Sequence, residues 1–263
     1  MQVYLINLNR AIERLAHMQQ AFDAAGISFT RISAVDGRTL SDRELKRFQT
    51  GEGYWGWLTP GEIGCFLSHR LCWQTILDGD DNYAAIFEDD VLVGEKAEAI
   101  LSSSAWIPAD ADIIKLESAG SRIYVDRMSA SEICGRSVKR LRSSHYCTGG
   151  YIVSKKGARY LLETSQVFSD AVDDFLFSAQ VLARGQLALY QLSPAICIQN
   201  NRVAGNPDGS QLPSSIEGRE QKLMKKLRFS ERLKLIALKE RQSATNKLLC
   251  RLGKRERIVV DFK

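Results

Sequence analysis

Apolar and polar positions along the chain change period several times, and each change marks an element. Val3 to Leu8 is a short, almost continuous apolar run, the pattern of a buried strand. From about Ala11 to Ala25, Leu15, Met18, Phe22 and Ala25 recur three or four apart, the spacing of one helical face, and Gly26 supplies the stop. ISFTRISAV then alternates as a second strand ending at Asp36-Gly37. Strand, helix and strand at this spacing predict a βαβ unit with a parallel pair, a Rossmann-like beginning. Residues 38–58 carry Gly51, Gly53 and Gly56 between aromatics and predict a mobile surface loop.

The clearest helix is TPGEIGCFLSHRLCWQTIL. Thr59 stands at the N-cap, Pro60 at the first helical position and Glu62 three residues after the cap, a capping box. Ile63, Phe66, Leu67, Trp73 and Leu77 give it a buried face. DGDDN ends it, and Tyr83 to Phe87 follows as a strand. Further strands are predicted at Asp112–Leu116, Tyr146–Ser154 and Leu187–Leu192, with a loop after the first of them. Helices are predicted from Lys155 to about Glu163 and over VDDFLFSAQVLARG, where Gly185 is the stop. The expectation is an α/β fold, a mixed and mostly parallel sheet flanked by helices over residues 1–215, then a basic helical tail over 216–263.

Composition narrows the class without naming it. The 263 residues are 44% hydrophobic and 25% charged, ordinary for a globular protein. No apolar stretch is long enough to span a membrane, and the N-terminus lacks the pattern of a signal peptide. The six cysteines are scattered without a CxxC pair and read as reduced thiols, with the cytoplasm as the expected compartment. The net charge of +5 conceals a division. Residues 219–263 hold 15 basic against 5 acidic residues, whereas residues 1–218 hold 21 against 26. Such segregation marks a separate partner surface.

The chemistry concentrates in AAIFEDDVLV, residues 84–93. Glu88, Asp89 and Asp90 stand between two apolar runs at the C-terminal end of a strand, the edge where open α/β sheets bind ligands. Read along a strand, alternation sends Glu88 and Asp90 to one side and Asp89 to the other. Paired carboxylates offered that way suit Mg²⁺ or Mn²⁺, which take carboxylate, phosphate and water oxygens together. The simpler account is a solvated acidic turn. No GxGxxG and no GxxxxGK[ST] occurs, so a bound nucleotide would be met by the cation and basic side chains.

These segments together resemble glycosyltransferase family 25, the lipooligosaccharide-synthesis glycosyltransferases, many of them galactosyltransferases. The matching pieces are VYLINLNRAIERLAHM, ISAVDG, LTPGEIGCFLSHRLCW, AAIFEDDVLV, GGYIVSKKGARYLL, VDDFLF and LSPAICIQ, in family order over roughly residues 1–200. The resemblance implies a GT-A fold, a nucleotide-sugar donor, a divalent metal and inversion at the anomeric carbon. It places the family's acidic motif on Glu88-Asp89-Asp90, its Ser-His pair on Ser68-His69 after Glu62, and its later acidic position on Asp173. Many members lack a second acid there, whereas this chain has Asp174, so either of the two is open as the base.

On that basis Asp90 and Glu88 are the expected metal ligands. Asn7, Arg10, Arg14, Asp36, Glu62, Ser68, His69 and Asp89 are assigned to the donor side. Asp173, with Asp174, is the expected general base taking the acceptor hydroxyl's proton, as inverting glycosidases activate water. An N-cap role explains Asp173 equally well. Glu62 and His69 lie two helical turns apart on one face. Gly149 and Gly150 are assigned to the acceptor's approach, with a β-bulge as the alternative. His17 and His145 read as structural.

In the tail, Leu223, Leu227, Leu235, Leu238, Leu248, Leu249 and Leu252 recur at near-helical spacing among Lys and Arg, a basic amphipathic helix suited to an anionic membrane surface. A single aromatic between Arg219 and Arg257 argues against nucleic acid as a partner. The expected activity is transfer of a hexose, galactose from UDP-galactose first, to a lipid-linked oligosaccharide at the inner face of the membrane. A metal-dependent phosphohydrolase and a non-catalytic membrane adaptor are the alternatives. Against the former, the DxDx[TV] nucleophile position holds Glu88.

Overall fold

The computed structural model describes residues 1–49, 51–53, 56–202 and 229–263, with side chains in the last segment from residue 233. In chain order the elements begin with β1 (Gln2–Asn7), α1 (Ile12–Ala24), β2 (Thr30–Ser33), α2 (Asp42–Phe48), α3 (Pro60–Asp78), β3 (Tyr83–Glu88), β4 (Val91–Val93) and α4 (Ala97–Leu101). There follow β5 (Ile113–Lys115), β6 (Glu117–Ser118), β7 (Arg122–Asp126), β8 (Ser131–Ile133), β9 (Arg136–Arg140) and β10 (Gly150–Ser154). The chain continues through α5 (Lys155–Thr164), α6 (Val172–Phe177), α7 (Ala179–Arg184), β11 (Leu189–Ser193), β12 (Cys197–Gln199), α8 (Phe229–Arg251) and β13 (Arg255–Val259).

Eight strands form the central sheet in the order β2-β1-β3-β10-β5-β11-β9-β8. β1 pairs in parallel with both β2 and β3, and β5 in parallel with β11, while β10 and β9 run against their neighbours. This is the expected GT-A-like α/β arrangement, with helices on both faces. Along β1, Val3 and Leu5 pack with Met18 and Phe22 of α1, and Tyr4 and Ile6 with Phe66 and Trp73 of α3. Burial on both faces is why the strand reads as continuous apolar residues.

α3 is set against the end of β2 by two glycines. A side chain on Gly37 would begin 1.7 Å from the Pro60 carbonyl oxygen, and one on Gly64 would begin 2.5 Å from that of Val35. That close approach lets Ser68 Oγ accept from the Val35 N–H at 2.9 Å, tying helix to strand. The capping box is formed as expected, Glu62 taking the Thr59 N–H at 2.8 Å.

Several elements differ from the sequence reading. Residues 42–48 form α2, with a Ser41–Glu44 capping box, inside the stretch read as a loop. The helix expected through residue 184 is two helices, interrupted at Ser178, whose extended backbone (ψ 164°) ends α6. β6 to β9 lie where a loop was expected, and β10 begins at Gly150 rather than Tyr146. The C-terminal segment is not helical throughout. β13 pairs antiparallel with β7, Val260 is buried in the core, and the Ser118 hydroxyl donates to the Val260 carbonyl at 2.5 Å. Backbone bonds from Ala195 to Asp261 (2.7 Å) and from Lys263 to Ala195 (3.1 Å) complete the seam. Leu223 and Leu227 lie outside the described residues.

Candidate active site

A cleft of about 600 Å³ opens where β1 and β3 end, bounded by α3, the turn before β10 and the start of α6. Asn7, Arg10, Arg14, Asp36, Glu62, Ser68, Glu88, Asp89, Asp90, Asp173 and Asp174 all line it. Residues from five separate segments thus converge on one concavity. His69, Gly149 and Gly150 do not line it, and each has another position.

The acidic cluster straddles a strand end. β3 stops at Glu88, and Asp89 and Asp90 form a turn before β4. Turn geometry, not strand alternation, therefore sets the direction of Asp90, a correction to the sequence argument. Asp89 is buried and fully engaged: Asn7 Nδ2 donates to Oδ2 at 2.6 Å, and Arg14 sits 2.9 Å from Oδ1. Burial raises its carboxyl above the usual range, opposed by Arg14 and Asn7. Asp90 is held more loosely, its Oδ2 4.0 Å from Arg14. Its Oδ1 is buried and has no hydrogen-bond partner among the described residues. Burial and then the negative charge of Glu88 push the Asp90 carboxyl up to about 7.

Glu88 is tuned the other way. Burial opposes its charge, but hydrogen bonds from His69 and Thr148 prevail, and its carboxyl lies below the ordinary range. Thr148 Oγ1 donates to Oε1 at 2.5 Å, and His69 Nε2 lies 3.1 Å from the same oxygen. His69 is wholly buried behind the cleft, with Nδ1 2.9 Å from the Tyr151 hydroxyl. Trp73 Nε1 donates to that hydroxyl at 2.9 Å, leaving its own proton for Nδ1. Nε2 therefore carries the hydrogen that Glu88 accepts. The histidine assigned to the donor orients a carboxylate instead.

A fourth carboxylate, absent from the sequence reading, lies beneath the cluster. Glu117 is fully buried, with Oε2 3.1 Å from Lys115 Nζ and accepting the Gly149 N–H at 3.0 Å. Its Oε1 is a second buried oxygen without a partner among the described residues. Burial raises its carboxyl, and the Lys115 ammonium opposes the rise. Lys115 also donates to the Cys147 carbonyl and lies 4.5 Å from the Phe177 ring centre. The signal available was a lysine and a glutamate alternating inside IIKLES, an apolar strand with no evident reason to carry charge.

The two glycines make room for this layer rather than for a ligand. A side chain on Gly149 would begin 2.8 Å from Glu117 Oε1, and one on Gly150 2.3 Å from Cys197 Sγ. Both are buried, so the structure sets them apart from the cleft. Asp36 takes Arg10 at 2.7 Å and Arg38 at 3.2 Å at the rim, and the Arg38 hydrogen bond, against slight burial, brings its carboxyl to about 2. Opposite the acidic cluster, Asp173 Oδ1 accepts the Asp174 N–H at 2.9 Å and Oδ2 the Cys147 N–H at 3.3 Å. Arg202, also unforeseen, enters the cleft beside Cys147, with Nη2 3.1 Å from Sγ.

Two buried oxygens without partners, in a group of four carboxylates, have the hard-oxygen chemistry that a divalent cation completes. Asp90 with Glu88 would hold it from the cleft side. A softer alternative exists alongside, since ligand atoms of Cys65, His69 and Glu88 lie within 4.8 Å of one another.

The comparisons with known proteins agree on class. The profile of glycosyltransferase family 25 (LPS biosynthesis protein) matches residues 1–176. The lacto-N-neotetraose biosynthesis glycosyltransferase LgtB of Neisseria meningitidis serogroup B is 33% identical over 227 residues, 82% of each chain. LgtE of the same serogroup, carrying the same description, is 33% identical over 78% of this chain and 76% of its own. The lipooligosaccharide biosynthesis protein lex-1 of Haemophilus influenzae is 35% identical over 67% and 62%. The chain is thus a glycosyltransferase by class. The chain belongs to glycosyltransferase family 25.

Proposed function

We propose that this chain transfers a hexose, galactose from UDP-galactose, to a sugar hydroxyl of a lipid-linked oligosaccharide such as lipooligosaccharide, with inversion and with Mn²⁺ or Mg²⁺ as cofactor. The observation that carries the reading is the buried, unpartnered carboxylate oxygen of Asp90, a residue that lines a cleft of ligand size among three further carboxylates. The names of the relatives LgtB and lex-1, for lacto-N-neotetraose and lipooligosaccharide biosynthesis, support an oligosaccharide acceptor.

When bound, the cation neutralises charge on the departing diphosphate. The chain's own residues do the rest. Arg14 and Asn7 hold Asp89 and so fix the turn that carries Asp90. The Trp73–Tyr151–His69 relay keeps Glu88 ionised and oriented. Asp173, fixed by two backbone N–H groups across the cleft, takes the proton from the acceptor hydroxyl as that oxygen attacks the anomeric carbon and the sugar–phosphate bond breaks. Arg10 and Arg38 at the rim meet the nucleotide's negative charge.

The same reading sets the protein on the cytoplasmic face of the membrane. Among the described residues no helix is long and apolar enough to cross a bilayer. Leu233, Ile236, Leu248 and Leu252 of the C-terminal segment are exposed among lysines and arginines. Each basic side chain near an anionic surface contributes on the order of 1 kcal/mol.

The test is product analysis with a panel of UDP-hexoses, with and without acceptor and with and without Mn²⁺, the new linkage being assigned by NMR. Metal-dependent transfer of galactose with inverted configuration is expected. Hydrolysis of donor that ignores acceptor would favour the phosphohydrolase, and no metal-dependent nucleotide binding would favour the adaptor.

A further inference from the structure

We propose that a second cavity, beside the cleft and walled by α5, α6, α7 and α8, receives the sugars that precede the accepting one in the acceptor oligosaccharide. The proposal rests on the reading of the chain as an oligosaccharide-extending transferase and assigns that reading a subsite.

The cavity has a volume of about 410 Å³, within the range of ligand sites. It is continuous in position with the cleft, because Tyr146 and Asp174 line both. An acceptor whose hydroxyl lies at the Asp173-Asp174 pair has one end at the reaction centre. On the other side of the cleft the strand ends are committed to donor and cation. The remainder of the acceptor therefore passes Asp174 into the second cavity.

The walls have the chemistry of sugar recognition. Gln180 and Gln186 offer amides with two donors and an acceptor each, and the Tyr160 hydroxyl donates to the Gln186 amide oxygen. Tyr146 presents a partly exposed aromatic ring at the junction. Carboxylates of Asp170 and Asp174 face the same space as Arg184 and Lys239, so the charges balance. A balanced polar wall suits a neutral polyhydroxyl ligand better than a phosphate or an anionic lipid.

One wall belongs to the C-terminal segment. Leu235 and Lys239 of α8 line the cavity, and Gln242 Nε2 docks the helix on α7 by donating to the Ala179 carbonyl at 2.8 Å. Asn246 is buried and donates to the Arg142 carbonyl at 3.2 Å. The helix that carries the basic charge thus also reaches the acceptor path.

The experiment compares a monosaccharide glycoside with a trisaccharide ending in the same sugar, using full-length wild type and an Arg184→Ala, Gln186→Ala variant. Both side chains are exposed, so the substitutions spare the core. The ratio of kcat/KM for trisaccharide over monosaccharide should fall roughly tenfold. An unchanged ratio overturns the subsite. Saturation-transfer NMR with the trisaccharide alone provides a second arm that needs no donor. Binding by wild type, weakened in the variant, supports the subsite, and no binding by wild type overturns it. Trisaccharide binding without transfer from any UDP-hexose instead overturns the proposed reaction while the subsite stands.

Discussion

The two acidic groups of the cleft are built on opposite principles. Glu88, Asp89 and Asp90, with Glu117 below, sit at a sheet end where Asp89 and Glu117 are buried and Glu88 and Asp90 are only partly exposed. One oxygen each of Asp90 and Glu117 has no partner among the described residues. Asp173 and Asp174 open a short helix and are half-buried, and Asp173 accepts from two backbone N–H groups. Burying four carboxylates together is costly unless each is paired or coordinated, so the first group reads as a site prepared for positive charge. The second is less deeply buried and lines the cleft, where a carboxylate can exchange a proton with a ligand. On the proposed mechanism, burial separates charge binding from proton transfer.

The comparison breaks first at Asp173. Asp173→Asn should lower kcat by roughly 10²–10⁴-fold with donor affinity nearly retained, the usual scale for a positioned general base. If Asp174→Asn gives that loss and Asp173→Asn does not, the two exchange roles.

Lys115→Met tests the cost of the buried cluster. It leaves the Glu117 charge uncompensated and should destabilise the fold by about 3–5 kcal/mol in chemical denaturation. The double variant Lys115→Met, Glu117→Gln should recover most of that loss. An undisturbed single variant would mean that Glu117 is already neutral.

Asp90→Asn sharpens the contrast from the catalytic side. Turnover should fall about 10²–10³-fold and lose its response to Mn²⁺, while thermal stability holds or rises because like-charge repulsion is relieved. Mn²⁺-dependent turnover at the wild-type level would remove Asp90 from the metal site.

The smallest effect concerns pH. His145 is buried with Nδ1 2.8 Å from Gln191 Oε1, and burial, then the Lys115 charge and that of Arg202, lower its pKa to about 3. The unfolded chain takes up this proton near pH 6.5 and the folded one does not. Stability is therefore lost as pH falls from about 6.5 towards 3. At pH 5.5 the loss is about 1.4 kcal/mol, and His145→Gln should abolish that share of the acid dependence in denaturation curves.

What the sequence determined by itself was local or periodic. The β1–α1–β2 unit, the Thr59 capping box and the apolar β3 follow from hydrophobic spacing and cap chemistry that adjacent residues carry. The acidic motif and its position at a strand end were legible for the same reason. Tertiary structure decided what depends on distant partners. Short strands such as β6 and β8 carry too few residues to show a period, and β13 exists only because β7 is there to pair with it. His69 and Glu62 share a helical face, yet His69 faces Tyr151 and Glu88 while Glu62 caps its own helix, because the packing of α3 on the sheet fixes which neighbours each meets. Glu117, 29 positions beyond Glu88, joins the cluster only because β10 brings Gly149 between the two carboxylates, its carbonyl on the Glu88 N–H and its N–H on Glu117. Periodicity describes one element against an average core, but a site is made by particular side chains from several elements, and only the folded chain sets them within hydrogen-bond reach.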